Sequence, residues 1–182
     1  MQALKAENID YVVAPYEADA QLYFLEKAGI VDGLITEDSD LLVYGSSLVL
    51  FKLDSDGNCI SISRSQFSRN VDLPMSGWTD TDFRAMAILS GCDYLPSIPG
   101  LGLKTAHKLL RKYKTVDKVL MFLRLEGGNL KVPNGYLEEF RKAEKVFMFQ
   151  RVYDPRQKKA VHLHEIPEGM EWDEHLDEYV GR

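Results

Sequence analysis

Residues 10–29, "DYVVAPYEADAQLYFLEKAG", pass from a short β-branched run through a proline into a helical pattern that a glycine closes. Residues 31–45, "VDGLITEDSDLLVYG", begin the same way, with an apolar run that ends in acids. The expected order is a short buried strand over 10–14, a helix over 17–29 stopped by Gly29, and a second strand over 31–36. Strand alternating with helix implies a parallel sheet. Ahead of it, "QALKAEN" at 2–8 reads as the last turns of a helix. Behind it, "SLVLFKL" and "NCISIS" flank "DSDGN", whose Asp-Gly suits a hairpin turn. The strands then stop. "TDTDFRAMAILSG" offers Thr79 as N-cap and Phe83, Met86 and Ala87 as an apolar face, and "LKTAHKLLRKY" and "LEEFRKAEKVFMFQRVY" continue as helices. The predicted organisation is an α/β core over 1–78, a helical subdomain over 79–155 and an extension over 156–182.

The acids occupy the informative places in this frame. Ligands of open α/β sheets sit outside the carboxyl ends of the strands. Glu17 and Asp19 follow the first run, Asp38 and Asp40 the second, and Asp93 lies in "ILSGCDYL" after an apolar helix. In extended chain, the i,i+2 spacing of Asp38 and Asp40 points both side chains to one face. Glu17 and Asp19 can share a site if Glu17 stands at the strand-to-helix turn and Asp19 in the first helical turn. Acids in a first turn also complement the helix dipole, and "EDSD" taken alone suits a solvated loop. Five carboxylates gathered without cations would repel and raise one another's pKa, whereas Mg²⁺ or Mn²⁺ favours such oxygen ligands. Two such ions, roughly 3.5–4 Å apart, clamp the attacking and leaving oxygens in phosphodiester hydrolysis.

Bulk properties bound these readings. The chain has 182 residues, 45% hydrophobic and 27% charged, as expected of a soluble globular domain, with no run long enough to cross a membrane and no secretory leader. Cys59 and Cys92 are too few for a disulfide framework, which fits a reduced compartment. The net charge of −6 argues mildly against nucleic acid, but it averages separate blocks. "KTAHKLLRKYKTVDK" at 104–118 sets six lysines and arginines against Asp117, while the acid-rich end from Glu165 reads as a solvated, loosely attached segment. In "SGCDYLPSIPGLGLKTAHKLL", Gly100 and Gly102 allow close backbone approach, and the amides that open the following helix, with Lys104, can hold a phosphate. A plain connection between two helices is the alternative. His107, His162, His164 and His175 have no nucleophile beside them and read as ordinary surface residues, and Cys92 as a small buried side chain.

"APYEADAQ", "ITEDSDLLVYG", "ILSGCDYLPSIPGLG" and "FQRVYDPRQKKAVHL" together resemble the flap-endonuclease/XPG family of structure-specific 5′ nucleases, over essentially the whole chain. Tyr16 and Asp19, where flap endonucleases tend to have Ser and Glu, place the resemblance nearest the exonuclease branch. It implies a PIN-like (Rossmann-like) core with a helix-two-turn-helix subdomain. Glu17, Asp19, Asp38, Asp40 and Asp93 would serve two Mg²⁺ or Mn²⁺ ions, directly or through water. Ser90, Ser97 and Leu101 would hold K⁺, and Gly100, Gly102, Lys104 and Lys108 would meet DNA. The implied activity is metal-dependent 5′-3′ exonuclease with 5′-flap cutting, on duplex DNA with 5′ ends, nicks or flaps, by a nuclear monomer in repair and recombination. Repair partners would be recruited through regions outside this stretch. The family's leading segment, with further aspartates and a helical arch, is not among these residues. The chain is therefore expected to be a truncated form that cuts weakly alone, with a catalytically silent DNA-binding module as the alternative.

Overall fold

The Asp54–Asn58 turn shows how closely local chemistry sets this fold. Asp54 N and Asn58 O bond at 2.9 Å, and Asp54 Oδ1 accepts from both Asp56 N and Asn58 N. That turn closes the hairpin of β2 (Leu48–Phe51) and β3 (Ile60–Ser63), paired antiparallel with Leu48 opposite Ser63. On the other side of β2 lies β1 (Leu34–Ile35), parallel, with Leu34 opposite Val49. The sheet order is β1-β2-β3. These positions come from a computed structural model that describes residues 1–170, 172 and 176–181.

Helix α1 (Gln2–Ala6) buries no side chain, while α2 (Ala18–Lys27) and α3 (Asp40–Tyr44) pack on the strands. Gly29 at φ 64° and Gly45 at φ 114° take up backbone conformations, beyond the ends of α2 and α3, that other residues would resist. A 3₁₀ turn over Arg64–Arg69 leads to α4 (Asp80–Ser90), which opens with the predicted Thr79 cap in a full capping box with Asp82. Then come α5 (Leu103–Tyr113), α6 (Val116–Glu126) and α7 (Tyr136–Phe149). Helix α6 was not legible as a separate element, although Thr115 caps it by accepting from Lys118 N. Among the described residues no helix is long and apolar enough to cross a membrane.

Three sequence expectations need correction. Residues 10–14 do not form a strand among the described residues, and Val13 is 57% exposed. Their β-branched side chains supply propensity, but a strand exists only where a ladder partner lies alongside. The strands also do not stop midway. Helix α7 ends at Phe149, and β4 (Arg151–Asp154) and β5 (Lys159–His162) form a second antiparallel hairpin. The expected division at 155/156 falls in the turn of that hairpin. Third, the end of the chain is not a solvated strip: Leu176 and Val180 are buried, the latter in α8 (Asp177–Val180), and Trp172 stands edge-on to Phe149 at 6.0 Å.

One core unites the elements. Ala20 of α2, Tyr44 of α3, Met86 and Leu89 of α4, Ala106 and Leu110 of α5, Leu120 of α6, Phe147 of α7 and Val152 of β4 belong to the same buried cluster. A smaller one, Leu34, Leu41 and Val49, seals α3 onto the sheet. Two polar side chains tie distant segments. Glu26 of α2 accepts from Ser47 N, Ser47 Oγ and Leu48 N, fixing the start of β2. Gln21, 3% exposed, bonds both backbone groups of Tyr153, with Nε2 donating to the carbonyl at 2.9 Å and Oε1 accepting from the amide at 2.7 Å.

Candidate functional site

The N-terminal ends of α2 and α3 and the turn after α4 carry the acids singled out in the sequence, near enough for their charges to act on Asp19 and Asp40. Glu17 is the extended residue from which α2 starts, and Asp19 lies in its first turn. Asp38 bends the chain into α3. Its amide donates to Thr36 Oγ1 at 2.9 Å, and its Oδ1 accepts from Asp40 N at 2.9 Å. Such local bonds compete with strand pairing, which is why β1 is so short and why Asp40 begins a helix instead of continuing the extended chain. Asp93 sits in a tight turn in which Cys92 N donates to Leu95 O at 3.0 Å and Leu95 N to Cys92 O at 3.2 Å.

The electrostatics link these positions. Burial, followed by the charges of Asp38, Asp93 and Asp19, pushes the Asp40 carboxyl up to about 6. Asp19 is raised by burial first and then by Asp38, Glu17 and Asp93. Every charge named in those two shifts is an acid. Asp19 and Asp40, both half-buried, therefore each feel others of the five carboxylates singled out in the sequence, while Glu17, Asp38 and Asp93 are exposed. Divalent cations fit this donor set, since hard oxygen ligands of uncompensated charge are what Mg²⁺ and Mn²⁺ bind. Among the described residues no three His, Cys, Asp or Glu side chains converge on a single ion position.

Around Asp93 runs the segment from Ser90 to Lys108. Ser90 Oγ donates to Ala87 O at 2.8 Å as α4 ends. Gly91, at φ 105°, lets the chain pass so close that a Cβ there would lie 3.2 Å from Ser97 N. Leu101 is 1% exposed, and its amide donates to Ile98 O, leaving its own carbonyl on the loop. Gly100 is at φ 86°, and Gly102 caps α5, its carbonyl accepting from Thr105 N and Ala106 N. The first amides of α5 have no partner within the helix. Lys104 and Lys108, one turn apart, are exposed with Arg111 and Lys112, while Ala106, Leu109 and Leu110 face the core.

Three histidines differ from the expected surface role. His107 is 6% exposed, stacks on Trp78 at 4.5 Å and places Nε2 3.0 Å from Pro74 O, pinning the approach to α4 against α5. His162 Nδ1 lies 2.7 Å from Phe149 O. His164 Nδ1 meets Lys27 Nζ at 2.9 Å, and burial, then Lys27 and Arg84, depress it to about 4. His175 lies outside the described residues. Cys92 is half-buried and its thiol raised by burial, in keeping with a packing role.

Residues 8–93 match the family model of the XPG I-region, whose span includes all five acids, Asp93 being its last residue. Exonuclease 1 of Arabidopsis thaliana is 44% identical over 181 residues, covering 100% of this chain and 24% of that protein. Exodeoxyribonuclease 1 of Schizosaccharomyces pombe is 46% identical, covering 98% and 31%. The chain is similar to members of the flap-endonuclease/XPG family, and its residues 8–93 match that family's I-region. It spans about a quarter to a third of the length of these curated relatives. Among solved structures, the Holliday junction-resolving enzyme GEN1 in complex with product DNA and Mg²⁺ superposes with a TM-score of 0.63 at 25% identity, over 85% of this chain and 43% of that one. The PIN-like α/β nuclease fold of the XPG family is thus the fold of this chain, with the small sheet and helical second half described above.

Within the XPG I-region only Asp38 and Asp40 follow a strand, while Glu17 and Asp19 follow an irregular segment where the sequence had suggested one. The buried and half-buried residues adjoining Asp40 and Asp93 were not legible in the sequence. Tyr94, directly after Asp93, and Tyr44, closing α3, carry no spacing signal, and Gln150 is far away in sequence. An aromatic residue next to a site acid was the one available hint.

Proposed function

We propose that the crevice of Glu17, Asp19, Asp38, Asp40 and Asp93 is the divalent-metal centre of a 5′ nuclease. The segment from Ser90 to Lys108 holds the duplex beside it. The observation that carries this reading is the placement of two half-buried carboxylates among acids alone, next to a glycine-opened helix whose exposed face is basic. The reaction class is hydrolysis of DNA phosphodiesters, in line with relatives named exonuclease 1 and exodeoxyribonuclease 1. Polarity 5′-3′ from an end, cutting at 5′ flaps and a role in nuclear DNA repair are what the resemblance of the motifs implies.

Bound Mg²⁺ or Mn²⁺ ions would supply an activated water and stabilise charge on the scissile phosphate. The chain's own residues do the rest. Asp19 and Asp40, partly withdrawn from water, give fixed oxygen ligands, and Glu17, Asp38 and Asp93 complete the set directly or through water. Gly100 and Gly102 let the backbone approach a phosphate, and the free amides of Leu103 and Lys104 with the Lys104 and Lys108 ammonium groups neutralise it. The oxygens of Ser90, Ser97 and Leu101 suit K⁺, which would tie that loop to the same strand. Contacts of this kind read phosphate and not base, so the preference is for duplex ends and flaps and not for sequence.

A second reading, a DNA-binding module without catalysis, draws on the lack of any three-ligand convergence among the described residues. One experiment separates the two. The purified chain is titrated with Mn²⁺ and assayed on recessed-end and flap duplexes, alone and joined to the missing length of a curated relative. Mn²⁺ binding lost in Asp38→Ala and Asp40→Ala, with cutting by the joined protein lost in Asp93→Ala, supports the nuclease. DNA binding that ignores Mn²⁺ and all three substitutions supports the module.

A further inference from the structure

Two acids of the crevice each stand one short element away from a tyrosine. Asp40 opens α3 and Tyr44 closes it, while Asp93 and Tyr94 are the central residues of the Cys92–Leu95 turn. Both tyrosines point into the core and meet the same ring. Phe147 of α7, 1% exposed, receives Tyr44 edge-on at 5.1 Å and 65°, and Tyr94 at 5.0 Å and 77°. The two hydroxyl oxygens are 3.5 Å apart, at the outer limit of a hydrogen bond. The firmer contact comes from Gln150, just after α7 and fully buried, whose Nε2 donates to Tyr94 Oη at 3.2 Å. Gln150 Oε1 has no partner among the described residues. The Tyr94 hydroxyl is thus the partner of the amide nitrogen, and a buried N–H group holds such a partner tightly because the unpaired state is costly.

We propose that Tyr94 is a positioning residue for the metal centre. Phe147 of α7 and Gln150 just after it, both fixed in the core, act through Tyr94 on Asp93 and through Tyr44 on Asp40, and so set how far apart those two carboxylates stand. The inference rests on the divalent-metal reading above. It adds that the affinity for metal is set from beneath the crevice by a tyrosine pair that touches no metal. A pair that merely filled the core would contribute to stability and leave affinity alone, which the test distinguishes.

The test measures Mn²⁺ affinity of the full chain, by the signal of the free aquo ion, beside thermal stability. Tyr94→Phe keeps the ring and removes the acceptor, and its Mn²⁺ Kd is expected to rise about tenfold, the usual effect of losing a group that orients a ligand. The double variant Tyr94→Phe/Gln150→Leu removes both polar partners, so its Tm recovers while its Kd stays raised. Val119→Ala, in the core of α6, lowers Tm without moving Kd. Kd values within twofold of the parent in both tyrosine variants, while Asp40→Asn still weakens binding, overturn this inference and leave the metal reading standing. A parent chain that binds no Mn²⁺ overturns both.

Discussion

Replacing Asp40 by Asn should make the metal-free protein more stable. The carboxyl is raised from 3.8 to about 6, so folding holds its charge in a place that disfavours it. The folded state binds the proton more tightly than the unfolded state. Stability therefore falls as pH rises from about 4 to about 6, and the full penalty stands at pH 7.5. Two units at 1.36 kcal/mol each would be about 3 kcal/mol, but Asp40 is half-exposed and solvent screening reduces this to roughly 1–2 kcal/mol. Asn also forfeits a favourable charge at the start of α3, worth about 0.5 kcal/mol. The balance is about 1 kcal/mol in favour of the variant, a rise in Tm of about 2–4 °C for a chain of this size. Thermal melts in EDTA at pH 7.5 measure it, and at pH 4 the advantage should vanish. Saturating Mg²⁺ should invert the order, because a ligand at a hundred times its Kd adds about 2.7 kcal/mol to the parent and far less to the variant. An Asn variant that melts below the parent by the same margin at both pH values would show that Asp40 is not held at a cost.

Lys104→Ala should weaken duplex binding alike on all DNA sequences and reduce the slope of log affinity against log salt by about 1, read by fluorescence anisotropy. Exchanging Na⁺ for K⁺ at fixed ionic strength should tighten that binding, and no difference would remove the cation assigned to Ser90, Ser97 and Leu101. His164 is depressed to about 4, so the unfolded state takes up its proton first and stability should fall as pH drops from about 6.5 toward 4. His164→Gln should flatten that limb in urea titrations. Finally, a polypeptide of these 182 residues should bind Mn²⁺ and DNA yet cut at least ~100-fold more slowly than the protein joined to a relative's missing length, since small misplacements of reacting groups are that costly.

The legible parts of this protein are those written in local chemistry. Asp-Gly at 56–57 announced its turn and Thr79 its cap, because turn and cap each act within a few residues. What stayed hidden depends on partners remote in the chain. "DYVVA" has the composition of a strand but no neighbour to pair with, and "RVYD" looked like the end of a helix until β5 lay beside it. His107 and His164 looked like surface residues because Trp78 and Lys27, which bury them, are 29 and 137 residues away. The bond between Gln150 and Tyr94, beside Asp93, was hidden for the same reason, since only the packing at the end of α7 creates it.

The Gln21 amide has a consequence for how this chain behaves in company. A two-stranded hairpin leaves the outer rim of β4 open, and an open rim invites another molecule to add a strand. Here the side chain of Gln21 occupies both backbone groups of Tyr153, as a neighbouring strand one residue long would do. Two residues on, Pro155 has no N–H to offer, so the register cannot be extended past it. A helix side chain and a proline thus act as a stopper on that rim. A Gln21→Ala chain would uncover it and turn a folding hairpin into a template for association between copies.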